Sequence, residues 1–161
     1  MILVSSCLAG RHVRYNGSHC LNEQIAALIE AGKATMVCPE LLAGFSTPRE
    51  PAEIVGGTGE DVLNGTAKVI EKSGRDVTDL YIKGAYETLK FAQEVGASVV
   101  VLKENSPSCG STKIYNGKFK NESIAGQGVT TALLAKHNIR VLSDENWLDA
   151  CGPIDLENRY S

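Results

Sequence analysis

No two of the five cysteines in this chain are spaced as a CxxC pair. That absence speaks against a thioredoxin-like redox centre and against the common zinc-finger spacings. Long apolar runs are missing too: nothing approaches the roughly 20 residues of a membrane span, so no membrane partner is expected. The apolar run Met1–Val4 is too short for a secretion signal, and the expected compartment is the cytoplasm. There is no long basic run and the net charge is −3, so a nucleic-acid partner held by a positive field is not expected. The three histidines, His12, His19 and His137, show no ligand spacing. Gly126-Gln127-Gly128 is only a fragment of a GxGxxG pattern. Internal repeats and low-complexity tracts are absent.

What is present is an ordinary globular composition, with 43% hydrophobic and 22% charged residues over 161 positions. This fits one domain over residues 1–161, with enough chain for a real core. An odd cysteine count without a secretion signal points to metal binding or catalysis rather than structural disulfides. Three of the cysteines share a setting. Val99–Leu102 is a short apolar, β-branched run that leads through Lys103 into Ser106-Pro107-Ser108-Cys109-Gly110. Met1–Val4 leads into Ser5-Ser6-Cys7, and Ala34–Val37 into Cys38-Pro39-Glu40. Each run reads as a buried parallel strand that leads into a cysteine, with Gly10, Pro39 or Gly110 following. Parallel neighbours in one sheet would bring Cys7, Cys38 and Cys109 to one edge, the carboxyl edge at which open α/β sheets bind ligands.

Between these strands the pattern is helical. Ile25, Leu28 and Ile29 give an apolar stripe after a cap at Asn22, with a stop at Gly32. The Gly- and Pro-rich stretch from Leu41 to Gly59 reads as a long covering loop. Val62–Ile70 reads as a hairpin turning at Asn64-Gly65, and Ile114–Phe119 as a second one at Asn116-Gly117. A long helix runs from a cap at Asp76 or Thr78 to about Val95 and stops at Gly96. A further helix opens at Gly126-Gln127-Gly128 and runs to Asn138, followed by a strand at Ile139–Leu142 and a short helix at Glu145–Ala150. The alternation predicts an α/β fold: a three-layer, Rossmann-like domain with a mainly parallel sheet and small hairpin excursions.

Each candidate residue has a plainer alternative. A buried cysteine is often only a small hydrophobe, but three placed alike at strand ends favour a joint site. Three thiolates suit a [4Fe–4S] cluster whose fourth iron stays open for a substrate sulfur. Glu40 is the nearest carboxylate in sequence, able to move a proton if partly desolvated, or else a solvated charge. Ser106 and Ser108 are hydrogen-bond donors beside Cys109, or else residues that shape the turn. Arg49 holds a substrate oxygen or pins the covering loop, and Arg14 and Tyr15 invite the same two readings. Gly126–Gly128 offers backbone N–H groups to an anion. Cys20 and Cys151 follow no strand and read as structural or incidental.

Three blocks together resemble a known family. The first is Ser5-Ser6-Cys7-Leu8-Ala9-Gly10 with Arg14-Tyr15-Asn16-Gly17. The second is Cys38-Pro39-Glu40-Leu41-Leu42-Ala43-Gly44-Phe45 with Thr47-Pro48-Arg49 and Pro51-Ala52-Glu53-Ile54. The third is Leu102-Lys103 with Ser106-Pro107-Ser108-Cys109-Gly110-Ser111. In order and content they resemble the DUF523 family, whose characterised members are thiouracil desulfurases. The resemblance implies a [4Fe–4S] enzyme that converts 2-thiouracil, or a related thiolated pyrimidine, to uracil and sulfide. It implies Cys7, Cys38 and Cys109 as metal ligands, and Glu40 and Ser106 as catalytic residues. Ser108 and Arg49 are expected to bind the small-molecule substrate. This chain has Val13 where the first block often carries a second cysteine, and Ala43-Gly44 where paired glycines are common. A non-enzymatic Fe–S sensor module, and a cofactor-free binder using Gly126–Gly128, are the readings from other classes.

Overall fold

The computed structural model describes residues 1–5, 23–44, 50–103 and 105–143. In chain order the elements begin β1 (Ile2–Ser5), α1 (Glu23–Glu30), β2 (Ala34–Val37) and α2 (Pro39–Leu42). They continue β3 (Ala52–Val55), α3 (Gly59–Leu63), β4 (Lys68–Glu71), α4 (Thr78–Glu94) and β5 (Val99–Leu102). The last are β6 (Lys113–Tyr115), β7 (Ser123–Ala125), α5 (Val129–Lys136) and β8 (Arg140–Ser143). Asn22 and the expected helix at Glu145–Ala150 lie outside the described residues.

A four-stranded sheet in the order β2-β1-β5-β8 forms the centre, and each of its pairings is parallel. The two inner strands are buried along their whole length. That is why both read as unbroken apolar runs rather than alternating ones. On one face Leu3, Val37, Val100 and Leu102 meet Tyr81, Ala85, Leu89 and Ala92 of α4 and Leu133 and Leu134 of α5 in one core. The four α4 residues recur at helical spacing, which turns a single stripe toward the sheet. Ile2, Val4, Val99, Val101 and Leu142 are buried as well, on the opposite face by strand alternation. The sheet is therefore covered on both sides, as an α/β fold requires. Among the described residues, no helix is long and apolar enough to cross a membrane.

The structure corrects three expectations. The stretch 41–59 holds the end of α2, strand β3 and the start of α3 rather than one covering loop. Residues 62–70 are not a hairpin: α3 ends at Leu63, and β4 pairs antiparallel with β3. The reason is local. Asp61 accepts the Thr58 N–H at 2.9 Å, which fixes a helix start just upstream. Asn64-Gly65 then terminates that helix, with Gly65 at φ +84°. The third difference is at 114–119. β6 and β7 do pair antiparallel, but the connection runs over 116–122 instead of turning tightly at Asn116-Gly117. A buried carboxylate explains the wider loop: Glu53 of β3 accepts the N–H groups of Gly117 at 2.9 Å and Phe119 at 3.2 Å.

Candidate active site

The carboxyl edge of the sheet is set by strand register. Ser5 of β1 pairs with Val37 of β2, and Val4 pairs with Val101 of β5. All three strands thus stop at the same level, with β1 in the middle. Adjacent strands are about 4.8 Å apart, so the outer two of the three stop roughly 10 Å from each other. From β1 the chain builds outward to β2, then returns to place β5 on the other side. That reversal is the switch point beyond which α/β sheets open a crevice. Cys38 directly follows β2, and the Cys109 turn follows β5; both cysteines are buried. Cys7, two residues after Ser5 in the sequence, lies outside the described residues.

Cys38 leads straight into α2. Pro39 occupies the first helical position, where its missing N–H and fixed φ suit a helix start. Leu42 N–H donates to the Cys38 carbonyl at 3.0 Å, and Ala43 N–H to that of Pro39 at 3.1 Å. Glu40 therefore stands in the first turn of this short helix. α2 rests on α4 at Gly84, where a Cβ would come within 2.4 Å of the Pro39 carbonyl oxygen. Only a glycine lets the two backbones approach this closely.

The Cys109 turn is built on side-chain hydroxyls. Asn105, with φ +73°, bends the chain away from β5; Asn tolerates the left-handed region better than most residues. Ser106 Oγ then accepts the N–H of Ser108 at 3.0 Å and that of Cys109 at 3.2 Å. The Ser106 carbonyl accepts the Gly110 N–H at 3.0 Å, which closes the turn. Behind it, Val129 N–H donates to the Pro107 carbonyl at 2.8 Å and Thr130 N–H to the Ser108 carbonyl at 2.9 Å. The Thr131 hydroxyl donates to the Cys109 carbonyl at 3.0 Å, and the hydroxyls of Ser108 and Thr130 pair at 2.8 Å. At Gly128 a Cβ would lie 2.5 Å from the Ser108 backbone, so turn and helix pack main chain to main chain.

The predicted residues are thereby sorted. Cys38 and Cys109 stand on turns that leave the same sheet edge, and half-buried Ser106 caps the second turn. Ser108 is 1% exposed, and its hydroxyl is matched with that of Thr130 within the framework of the turn. Glu40 is placed by its backbone alone; its side chain, Arg49, Arg14 and Tyr15 lie outside the description. Among the described residues, no three His, Cys, Asp or Glu side chains come together as a metal-binding group. The anion reading of Gly126–Gly128 loses two of its three donors, because the Gly126 N–H donates to the Thr112 carbonyl at 3.0 Å and the Gly128 N–H to the Gly110 carbonyl at 2.9 Å. Thr130 and Thr131 were not legible as site residues. Their one sequence signal is a pair of threonines in the first turn of a helix, where hydroxyls commonly bond to backbone outside it.

Comparison with known proteins bears on this arrangement. The sequence model of the 2-thiouracil desulfurase family matches residues 2–146. An uncharacterized protein of Bacillus subtilis (strain 168), YbbK, is 62% identical over 149 residues, which cover 92% of this chain and 99% of the relative. Among solved structures, the chain resembles the [4Fe-4S]-dependent thiouracil desulfidase TudS, a DUF523 protein. The TM-score is 0.83 at 41% identity, covering 96% of this chain and 97% of that one.

Proposed function

The chain belongs to the 2-thiouracil desulfurase family, and on that premise we propose that it desulfurates 2-thiouracil or a related thiolated pyrimidine with a [4Fe–4S] cluster. Residues 1–161 act as one cytoplasmic domain on a small-molecule substrate, without nucleic acid or membrane. The observation that carries the reading is the common stopping level of β2, β1 and β5 at the switch point, with a cysteine following each in the sequence. The donor set fits the cluster: two buried cysteines leave that edge, a third follows β1 in the chain, and soft thiolates are the ligands iron–sulfur clusters take.

Cys7, Cys38 and Cys109 are the proposed ligands. When bound, the cluster supplies a Lewis-acidic iron with a coordination position open to a thiocarbonyl sulfur. In the net reaction, water oxygen replaces sulfur on the ring carbon: a C–O bond forms, the C–S bond breaks, and sulfur departs as sulfide. Glu40 takes the proton from the attacking water. Ser106 is a donor rather than a base, because its two acceptor positions already hold the N–H groups of Ser108 and Cys109. The hydroxyl hydrogen remains, and it stabilises charge that grows on the substrate as water adds. Arg49 orients the pyrimidine oxygen.

The test is anaerobic loading of the full chain with iron and sulfide, followed by 2-thiouracil. The expected result is a brown protein with about four iron per chain that releases equimolar uracil and sulfide. Protein that stays colourless overturns the reading. So does iron-loaded protein that frees no sulfide from any thiolated pyrimidine, which is the behaviour of a sensor.

A further inference from the structure

A cysteine's thiol is aimed by its own backbone. Once the N–H and C=O of the residue are fixed, the Cα–Cβ direction is fixed with them, and only χ1 remains. For Cys109 both groups are fixed by hydroxyls. Its N–H donates to Ser106 Oγ at 3.2 Å, and its carbonyl accepts from Thr131 Oγ1 at 3.0 Å. Ser106 is a neighbour in the same turn, whereas Thr131 reaches across from α5, 22 positions away. Thr131 is fully buried, and its N–H donates to the Ser108 carbonyl at 3.3 Å. Its hydroxyl and its N–H therefore both serve the one turn. Beside it, Thr130 closes a buried hydroxyl pair with Ser108 at 2.8 Å.

We infer that Thr131 is a positioning residue for the Cys109 thiol: its hydroxyl holds the Cys109 carbonyl and so aims the sulfur at the carboxyl edge of the sheet. The functional part of this inference rests on Cys109 being a cluster ligand, as proposed above; the geometric part does not. A ligand held on both sides of its Cα loses little conformational freedom when it binds metal. Without the Thr131 hydroxyl, the Cys109 carbonyl loses a buried partner and the turn opens locally. The turn then samples orientations in which the sulfur points away from the site.

The experiment compares the wild type with Thr131→Val, which keeps the shape and removes the donor, and Thr131→Ser, which keeps the donor. In the iron-free full chain, peptide-resolved alkylation reports Cys109 and Cys38 separately. The valine variant is expected to react about tenfold faster at Cys109, the equivalent of one lost buried hydrogen bond, with Cys38 unchanged and serine restoring the wild-type rate. In loaded protein, a chelator should bleach the visible absorption of the valine variant faster than that of wild type or serine. An unchanged Cys109 rate, or an equal rise at Cys38, overturns the inference. Thr131→Ala replaces the valine variant if that one does not fold, since alanine against serine still isolates the hydroxyl. Failure of the wild type to take up iron defeats the cluster reading, while the alkylation result still decides the geometry.

Discussion

Ser5 on β1 pairs in register with Val37 on β2, the residue immediately before Cys38. This pairing levels two neighbouring strands, and the Val4–Val101 pairing levels a third. The carboxyl edge of the sheet is thus the platform from which the cysteine turns depart. Cys38→Ser and Cys109→Ser test the platform directly. Each places a hydroxyl where a buried sulfur stood, so each is expected to cost about 1–3 kcal/mol of stability. Each should also lower bound iron to background after anaerobic loading. Chemical denaturation and iron analysis on the same samples check both halves.

The two serines of the third block should separate. Ser106→Ala removes the acceptor for two backbone N–H groups and the proposed donor to substrate. A fall in kcat of about 10²-fold or more is expected, with about 1–3 kcal/mol lost in stability. Ser108→Ala leaves the Thr130 hydroxyl buried without its partner. Its effect should therefore appear in the melt, at about 1–3 kcal/mol, rather than in KM for the thiolated pyrimidine. Equal losses of kcat in both variants would contradict this division.

Gly84 is where α4 lets α2 approach. Gly84→Ala puts a methyl group 2.4 Å from the Pro39 carbonyl oxygen, so α2 must move. Overpacking of this kind costs about 1–3 kcal/mol. Because α2 carries Glu40 and directly follows Cys38, turnover should fall further than stability alone explains. Steady-state kinetics at a temperature where the variant is fully folded distinguish the two contributions.

Asp76 gives a prediction in pH. The Thr78 hydroxyl donates to its carboxylate at 2.6 Å and the Thr78 N–H at 2.9 Å; Lys68 stands 3.9 Å away. The hydroxyl, then the N–H, then the lysine hold Asp76 below its usual carboxylate value of 3.8. A carboxylate with a depressed folded-state pKa stabilises in full above its unfolded value, and the contribution fades as pH falls through the folded one. The Tm difference between wild type and Asp76→Ala should therefore be constant above about pH 5 and shrink below about pH 4. Melts across that range, at fixed ionic strength, check it.

The parallel sheet was legible because its inner strands are buried on both faces and read as unbroken runs of Val, Ile and Leu. α4 was legible because Tyr81, Ala85, Leu89 and Ala92 keep one helical stripe. The Asn-Gly pairs misled for a physical reason: such a pair serves a hairpin turn or a helix terminus equally well. At Asn64-Gly65 the helix won because Asp61 accepts the Thr58 N–H upstream. At Asn116-Gly117 the tight turn lost because Glu53, distant in sequence, holds the loop amides. In the site, cysteines at strand ends announce themselves through apolar runs and Pro or Gly. The threonines behind Cys109 do not, since a hydroxyl that bonds to a carbonyl 22 positions away leaves no local pattern.

β1 precedes both β2 and β5 in the chain, yet it lies between them in the sheet. During synthesis it can pair with β2 early, but its other edge stays open until Val99–Leu102 emerges, and the brace from α5 comes later still. A nascent chain therefore carries an unpaired strand edge for much of its time on the ribosome, an invitation to wrong partners. The Cys109 turn gains its brace from α5 only after residue 131 has been made.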